Sequence, residues 1–277
     1  EHVIASAFRH LESIQPHWDY LFLNTLPFDA RCPVILDRFI NKKKFTIEQA
    51  RIPCAYLEIP EDWDSYLMGL KPRVRTKIRS SVRKFEKAFD AEFDVSESIT
   101  KGSARLTSLF DLHRKRWELK GQGGVFGTEG KVKFYELMSG LFSENAWLRF
   151  YSLSADNEYV AHQFCFCYSN TVYLLQEGFD PEWGNHGVGN VLRAYVFKDC
   201  IEKQNHVYDF LAGVTRHKLS WGAQVKNSTN MAVLRLTLRN RILLYAEKTR
   251  KGIKQLLQDK LPESVLEKLK TVKSRLG

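Results

Sequence analysis

The chain has 277 residues, 44% of them apolar and 27% charged, with 42 Lys and Arg against 32 Asp and Glu and a formal net charge of +10. That length fits one large domain or two small ones, and the composition excludes a disordered or fibrous chain. The basic excess, with a pI of about 9.3, points to an anionic partner (phosphate, nucleic acid or a lipid surface) without choosing among them.

The five cysteines are scattered, and the closest pair is Cys165 and Cys167. Two residues apart on a strand they share a face, which is neither a disulfide nor a zinc spacing. No Cys-x-x-Cys and no His-Glu-x-x-His occurs, so five buried, reduced thiols in a reducing compartment are expected, and no metal. No apolar run approaches the roughly 18 residues of a membrane span. No signal peptide is visible at the start, and Glu1 in place of Met suggests a piece of a longer protein.

Taken in chain order, residues 1–60 read as mixed α/β. Strands are expected at 18–23 and 54–59, the latter closed by Pro60, with a short helix at 33–39. This is a thin set of elements for an independent core. Residues 61–89 read as helices broken at Lys71-Pro72, since proline is tolerated in a first turn. In the second helix Val74, Ile78, Val82, Phe85 and Phe89 form one apolar stripe. Residues 71–87 hold eight basic side chains and one acidic, net +7. Either this is a solvated face packed by its stripe, or it touches a phosphate-bearing ligand or carrier.

The middle of the chain is the most legible. A strand at 92–97 is followed by a helix at 104–119, a loop at 122–124 and a helix at 131–144. Strands at 147–153, 159–168 and 171–177 come next, with Asp156-Asn157 and Ser169-Asn170 as turns. A Gly-rich loop, a helix at 188–203, a strand at 207–211, a short helix near 216–221 and a strand at 230–238 complete the order β-α-α-β-β-β-α-β-α-β. The tail, 239–277, reads as two helices split near Pro262, with a narrow stripe of Val265, Leu269, Val272 and Leu276. It carries eleven basic and four acidic residues. With no Trp or Phe on that stripe, packing or a weak peripheral contact with an anionic membrane is expected rather than firm interfacial binding.

The sharpest local feature is Gly184-Asn185-His186-Gly187-Val188-Gly189-Asn190, between a strand and an amphipathic helix. Closely spaced glycines let backbone N–H groups converge, and a helix N-terminus adds unpaired donors and partial positive charge. Together these suit a pyrophosphate, although an ordinary strand-to-helix turn has the same composition. The spacing is neither the dinucleotide-binding fingerprint nor a P-loop.

This loop, set after the fourth strand of a β-α-α-β-β-β-α-β order, resembles that of the GNAT acyltransferases, whose Gln/Arg-x-x-Gly-x-Gly/Ala loop grips the pyrophosphate of acyl-coenzyme A. Gly184 stands where the family has Gln or Arg. Further stretches look like the CelD/BcsL-like branch associated with cellulose and exopolysaccharide loci, itself related to the Fem aminoacyltransferases. They are Leu112-His-Arg-Lys-Arg-Trp117, Gly124-Val-Phe126, Glu177-Gly-Phe-Asp-Pro181, Tyr208-Asp-Phe-Leu211, His217-Lys218 and Trp221-Gly222. The resemblance implies an α+β GNAT fold with a mixed, mostly antiparallel sheet. It further implies a remnant of a second, degenerate GNAT-like half at 1–70, a basic connecting helix at 71–90, the acyltransferase domain at 91–238 and a basic helical tail at 239–277.

The implied activity is N-acyl transfer, without a covalent enzyme intermediate, from acyl-coenzyme A or an acyl-carrier protein to an amine-bearing small molecule or saccharide. The implied location is cytoplasmic or peripheral at the inner membrane face. The family places a carboxylate base at the end of the pre-loop strand, which is Glu177 here. The Fem relationship implies Lys218 as a stabiliser of developing negative charge. Asp209 and Asp180 sit at strand edges, suited to capping N–H groups or to touching substrate. His162 lies mid-strand on an apolar face, as a bonded core histidine or a catalytic one. Gly184, Asn185, His186, Gly187, Val188, Gly189 and Asn190 are the expected coenzyme contacts. Arg193, one turn into the helix, is within reach of a diphosphate or of the acidic residues. Two other classes remain open: a non-catalytic GNAT-shaped module for membrane or nucleic acid, and Fem-like transfer from aminoacyl-tRNA. No motif matches a sequence-reading DNA or RNA module.

Overall fold

The structure, a computed structural model, describes residues 2–14, 18–27, 30–40, 43–100, 102–119, 121, 124–240, 242 and 245. The expected tail helices, apart from residues 239, 240, 242 and 245, and residues 122 and 123 of the expected loop, lie outside the described residues. The chain divides into two compact units, Glu1–Arg51 with Thr229–Gly277, and Ile52–Ser228.

The first unit opens with helix α1, His2–Ser13, which buries Ala5 and Phe8. Strand β1, Tyr20–Pro27, and helix α2, Cys32–Phe39, follow. Strand β2 runs Phe45–Glu58. The expectation of a strand starting at residue 54 is therefore corrected. Residues 45–51 pair despite carrying Thr46, Glu48, Gln49 and Arg51, because only one side of this stretch needs to be apolar. Phe45 stacks on Trp18 at 5.5 Å and meets Phe8 edge-on at 5.7 Å. With Leu36, Ile40, Met231 and Val233 it makes a small core.

In the second unit the latter half of β2 is followed by helix α3, Trp63–Gly69, capped by Asp62. Helix α4, Pro72–Ala88, starts on Pro72. It buries Ile78 and Phe85 and packs Val74, Val82 and Phe89 against the main core, as the stripe requires. Strand β3, Ala91–Ser96, helix α5, Ala104–Glu118, and helix α6, Glu129–Glu144, come next. Strands β4, Leu148–Ala155, β5, Glu158–Tyr168, and β6, Thr171–Phe179, form an antiparallel meander. The left-handed backbones of Asp156, Asn157, Ser169 and Asn170 make its two-residue turns.

After β6 the expected irregular loop contains a 3-10 turn, Pro181–His186. Helix α7, Val188–Glu202, strand β7, Val207–Ala212, helix α8, Arg216–Ser220, and strand β8, Gln224–Arg235, follow. β8 starts six residues earlier than the expected 230, because the polar run Lys226–Asn230 masks an extended segment.

Within this unit the strands are ordered β2-β7-β6-β5-β4-β3. Every pair with a recorded register is antiparallel except β6 with β7. The result is a mixed, mostly antiparallel α+β sheet. The parallel register runs only from Thr171 opposite Val207 to Tyr173 opposite Asp209. Beyond it, β6 stays paired with β5 as far as Phe179, and β7 stays paired with β2 as far as Ala212. The two strands therefore part midway, and their ends open a gap that side chains of α7 and α8 fill.

All five cysteines are free thiols. Cys54, Cys165 and Cys200 are buried, but Cys32, in the first turn of α2, and Cys167, near the end of β5, are half-buried, against the expectation that all five would be enclosed.

Candidate active site

Two stripes lie side by side on α4. The apolar one holds the helix on the core, and beside it Lys77, Ser80, Ser81 and Lys84 recur at steps of three, one and three, a single helical face. This face looks onto the 3-10 turn. Trp183 packs on Phe89 at 4.8 Å and on Phe85 at 6.4 Å, and His186 meets Phe89 edge-on at 4.9 Å. These aromatic contacts fix the distance between helix and turn, and leave a cleft of about 510 Å³. Lys77, Ser80, Ser81, Lys84 and Phe85 line it on one side, and Gly184, Asn185, His186, Gly187 and Asn190 on the other.

Gly187 caps α7 with φ of 68°, a left-handed backbone that glycine adopts without steric cost. A Cβ there would stand 3.6 Å from the Ser81 hydroxyl, so the turn runs close to α4. Of the expected coenzyme contacts, Gly184, Asn185, His186, Gly187 and Asn190 line this cleft, and Val188, Gly189 and Arg193 do not. Val188 is buried in the core, and Gly189 lies against the Phe179 ring.

Arg193 turns inward and is 3% exposed. Of the two placements open to it, it takes the one beside the acidic residues. One of its terminal nitrogens pairs with Glu177, and the other donates to His217 Nδ1 at 3.0 Å. Phe210 and Trp221 rings lie 5.6 Å from its guanidinium carbon. Its Nε is buried without a partner.

Glu177 also receives Gln163 Nε2 at 2.9 Å and Arg116 at 3.5 Å. Tyr208 donates to Gln163 Oε1 at 2.7 Å, which locks that amide. Burial raises the Glu177 pKa, but Arg193, Arg116, the Gln163 amide and His217 more than offset it and hold the carboxyl below its ordinary value. Such a carboxylate stays ionised and is a weak proton acceptor, unlike the free base that the resemblance implied.

The other expected catalytic groups are also committed to the protein. Lys218 donates to three carbonyl oxygens at the end of β7, those of Phe210 at 3.0 Å, Ala212 at 3.1 Å and Gly213 at 2.8 Å. Burial, then Arg193, lowers its pKa. Asp209 accepts from the Leu211 N–H at 2.8 Å and pairs with Lys226 at 2.6 Å. Asp180 caps the 3-10 turn through the Glu182 N–H and pairs with Lys115 at 2.9 Å. His162, on the face of β5 opposite Gln163, is enclosed between the hydroxyls of Ser152 at 3.1 Å and Ser108 at 3.0 Å. Burial pushes its pKa down to about 3, so it is a neutral core histidine.

The structure therefore brings Glu177, Arg193 and Asn190 into one connected group, with His217 as the link. His217 Nε2 lies 3.2 Å from Asn190 Oδ1. The sequence offers His217 and Arg116 only as members of the stretches His217-Lys218 and Leu112–Trp117, with no role for either. A residue three positions past a Gly-Val turn carries no local signal that its ring will bridge two elements.

Residues 72–219, just over half the chain, match the sequence profile of the acetyltransferase (GNAT) domain. The chain belongs to that family. Among solved structures it is similar to FemX, at 10% identity and a TM-score of 0.57 over 83% of this chain and 75% of that one. L-PGS from Bacillus licheniformis gives 12% identity and a TM-score of 0.54 over 87% and 76%. A conserved protein of unknown function from Bacteroides thetaiotaomicron gives 18% and 0.54 over 83% and 75%. At these identities the likeness is one of fold. No curated protein matches the chain. Among the described residues no group of His, Cys, Asp or Glu is arranged to hold a metal ion, and no helix is long and apolar enough to cross a membrane.

Proposed function

We propose that this acyltransferase takes its acyl group from a phosphate-bearing thioester, acyl-coenzyme A, and passes it to an amine. The carrying observation is the cleft beside α4. It offers two lysines, two serine hydroxyls, a glycine turn and the positive end of a 15-residue helix on facing walls. Ammonium groups, serine hydroxyls and the partial positive charge of a helix start attract phosphate without needing a side chain at Gly184, where the family has Gln or Arg.

In the reaction an amine nitrogen bonds to the thioester carbonyl carbon, the C–S bond breaks, the amine gives up a proton and the departing thiolate takes one up. Holding the two reactants together supplies much of the rate in such a transfer. The Arg116–Glu177–Arg193 group, with Arg193 buried, keeps the parted ends of β6 and β7 in place, so we assign Glu177, Arg193 and Lys218 to positioning. The CelD/BcsL-like resemblance supports a saccharide or other envelope amine as acceptor, and residues 1–70 as the remnant of a first half.

A second reading, transfer from aminoacyl-tRNA, is favoured by one observation. Arg73, Arg79, Arg83 and Lys87 extend an exposed basic face of α4 beyond the residues that line the cleft. A diphosphate does not need this extra charge, and a nucleic-acid backbone does. Thiol release from acetyl-coenzyme A in the presence of a panel of amines, run beside transfer from charged tRNA, separates the two. Amine-dependent thiol release supports the first reading. Transfer from tRNA alone replaces it with the second.

A further inference from the structure

We propose that His217 is a positioning residue whose ring fixes the Asn190 side-chain amide as a hydrogen-bond donor into the α4 cleft, through a chain that starts at the buried Glu177 carboxylate. This deepens the cleft reading above and rests on it.

The direction of each bond follows from chemistry. A guanidinium has donors and no acceptor. Arg193 sits between Glu177 and His217 and must donate to both, so His217 Nδ1, 3.0 Å away, presents its lone pair. A neutral imidazole with a bare Nδ1 carries its proton on Nε2. That Nε2–H, 3.2 Å from Asn190 Oδ1, donates to it. With its oxygen held, the Asn190 amide leaves its Nδ2 hydrogens for the cleft, and Nδ2 is the atom of Asn190 nearest the space above Gly187, beside Ser81. The order is Glu177 accepting, Arg193 donating twice, His217 accepting and donating, and Asn190 accepting and donating. Every polar bond in it is oriented to end on donors facing an anion.

The chain also explains why so polar a group stands inside the unit. Arg193 is enclosed by Phe210 and Trp221, and a guanidinium there without Glu177 and His217 would be costly. Its position at the parting of β6 and β7 lets one buried ion pair act on a residue at the start of α7. Asn190 without the ring is free to flip. Its oxygen would then face the phosphate, and an acceptor against an anion repels it.

The test is calorimetric titration of the whole chain with coenzyme A and, separately, with inorganic pyrophosphate. A glutamine at 217 can accept from Arg193 through Oε1 and donate to Asn190 through Nε2, so His217→Gln is expected to bind within about twofold of wild type. His217→Leu and Asn190→Ala are each expected to weaken binding by about fivefold, the scale of one oriented hydrogen bond. The double variant is expected to lose no more than either alone. Additive losses in the double variant, or equal affinities of wild type and His217→Leu, overturn the chain while leaving the cleft intact. A wild-type protein that binds neither probe overturns the cleft reading itself, and the chain with it. The thermal midpoint of each variant distinguishes a folded protein with altered binding from an unfolded one, and the Gln and Ala variants carry the test if the Leu variant fails to fold.

Discussion

Acidification should unfold the Ile52–Ser228 unit in a way that one substitution reports. His162 is fully enclosed between two serine hydroxyls, and its pKa falls from 6.5 to about 3, chiefly because burial disfavours the charged ring. A histidine whose folded pKa is depressed adds stability that is present above its unfolded value, near 6.5, and is lost as pH falls towards the folded value. At about 1.4 kcal/mol per pKa unit the full contribution is on the order of 5 kcal/mol, of which about 2 kcal/mol has gone by pH 5. Against a total stability of roughly 5–15 kcal/mol this is a large share. Five of the six tryptophans lie in residues 52–228, so urea unfolding followed by tryptophan fluorescence reads this unit. His162→Gln should be less stable at pH 7, where one serine loses its partner. Its stability should also fall less steeply from pH 7 to 5, by about 2 kcal/mol. His113, lowered to about 4 by burial and then by Arg116, is present in both proteins and sets a common background slope. Parallel pH dependences in wild type and variant would refute the claim that His162 is a neutral core residue.

Other expectations follow from the site. Lys77→Ala with Lys84→Ala should weaken coenzyme A binding by about tenfold or more and flatten its salt dependence, measured by calorimetry at two ionic strengths. Gly187→Ala places a side chain at φ of 68° and should cost about 1 kcal/mol, seen as a fall in thermal midpoint of a few degrees. Glu177→Gln leaves Arg193 and Arg116 without their carboxylate and should destabilise the fold by about 3 kcal/mol. It should also leave the pH profile of transfer unshifted; a lost acid limb would restore Glu177 as the base. Because the Glu177 pKa is depressed, its own stabilisation is present above the ordinary carboxylate range and disappears as pH falls below it.

The helical stripe of α4 and the β4-β5-β6 meander were legible because their periods are local. Val74 to Phe89 recur at helical spacing, and Asp156-Asn157 and Ser169-Asn170 announce two-residue turns. The early halves of β2 and β8 were hidden, since Glu48, Gln49 and Lys226–Asn230 carry polar side chains on strands whose pairing depends on distant partners. The glycine turn was visible as a candidate anion site, and its position against Lys77 and Lys84 came from the Trp183–Phe89 contact, which no spacing rule encodes. The chemistry-bearing residues were found more readily than their states. Sequence places Glu177 at the end of an expected strand, which the structure continues to Phe179, and His162 mid-strand. Whether each is free or bonded depends on Arg193, Ser108 and Ser152, which lie on other elements 16, 54 and 10 residues away. His217 gained its place the same way, from Arg193 24 residues earlier.

The central claim is that a phosphate-bearing donor sits between α4 and the turn at 181–190. Hydrogen exchange of the whole chain with and without coenzyme A tests it directly. The account predicts slowed exchange in residues 77–85 and 184–190, with helix α5 and strand β3 unchanged. Protection absent from both segments, or appearing instead around Thr107–Lys115, would contradict it.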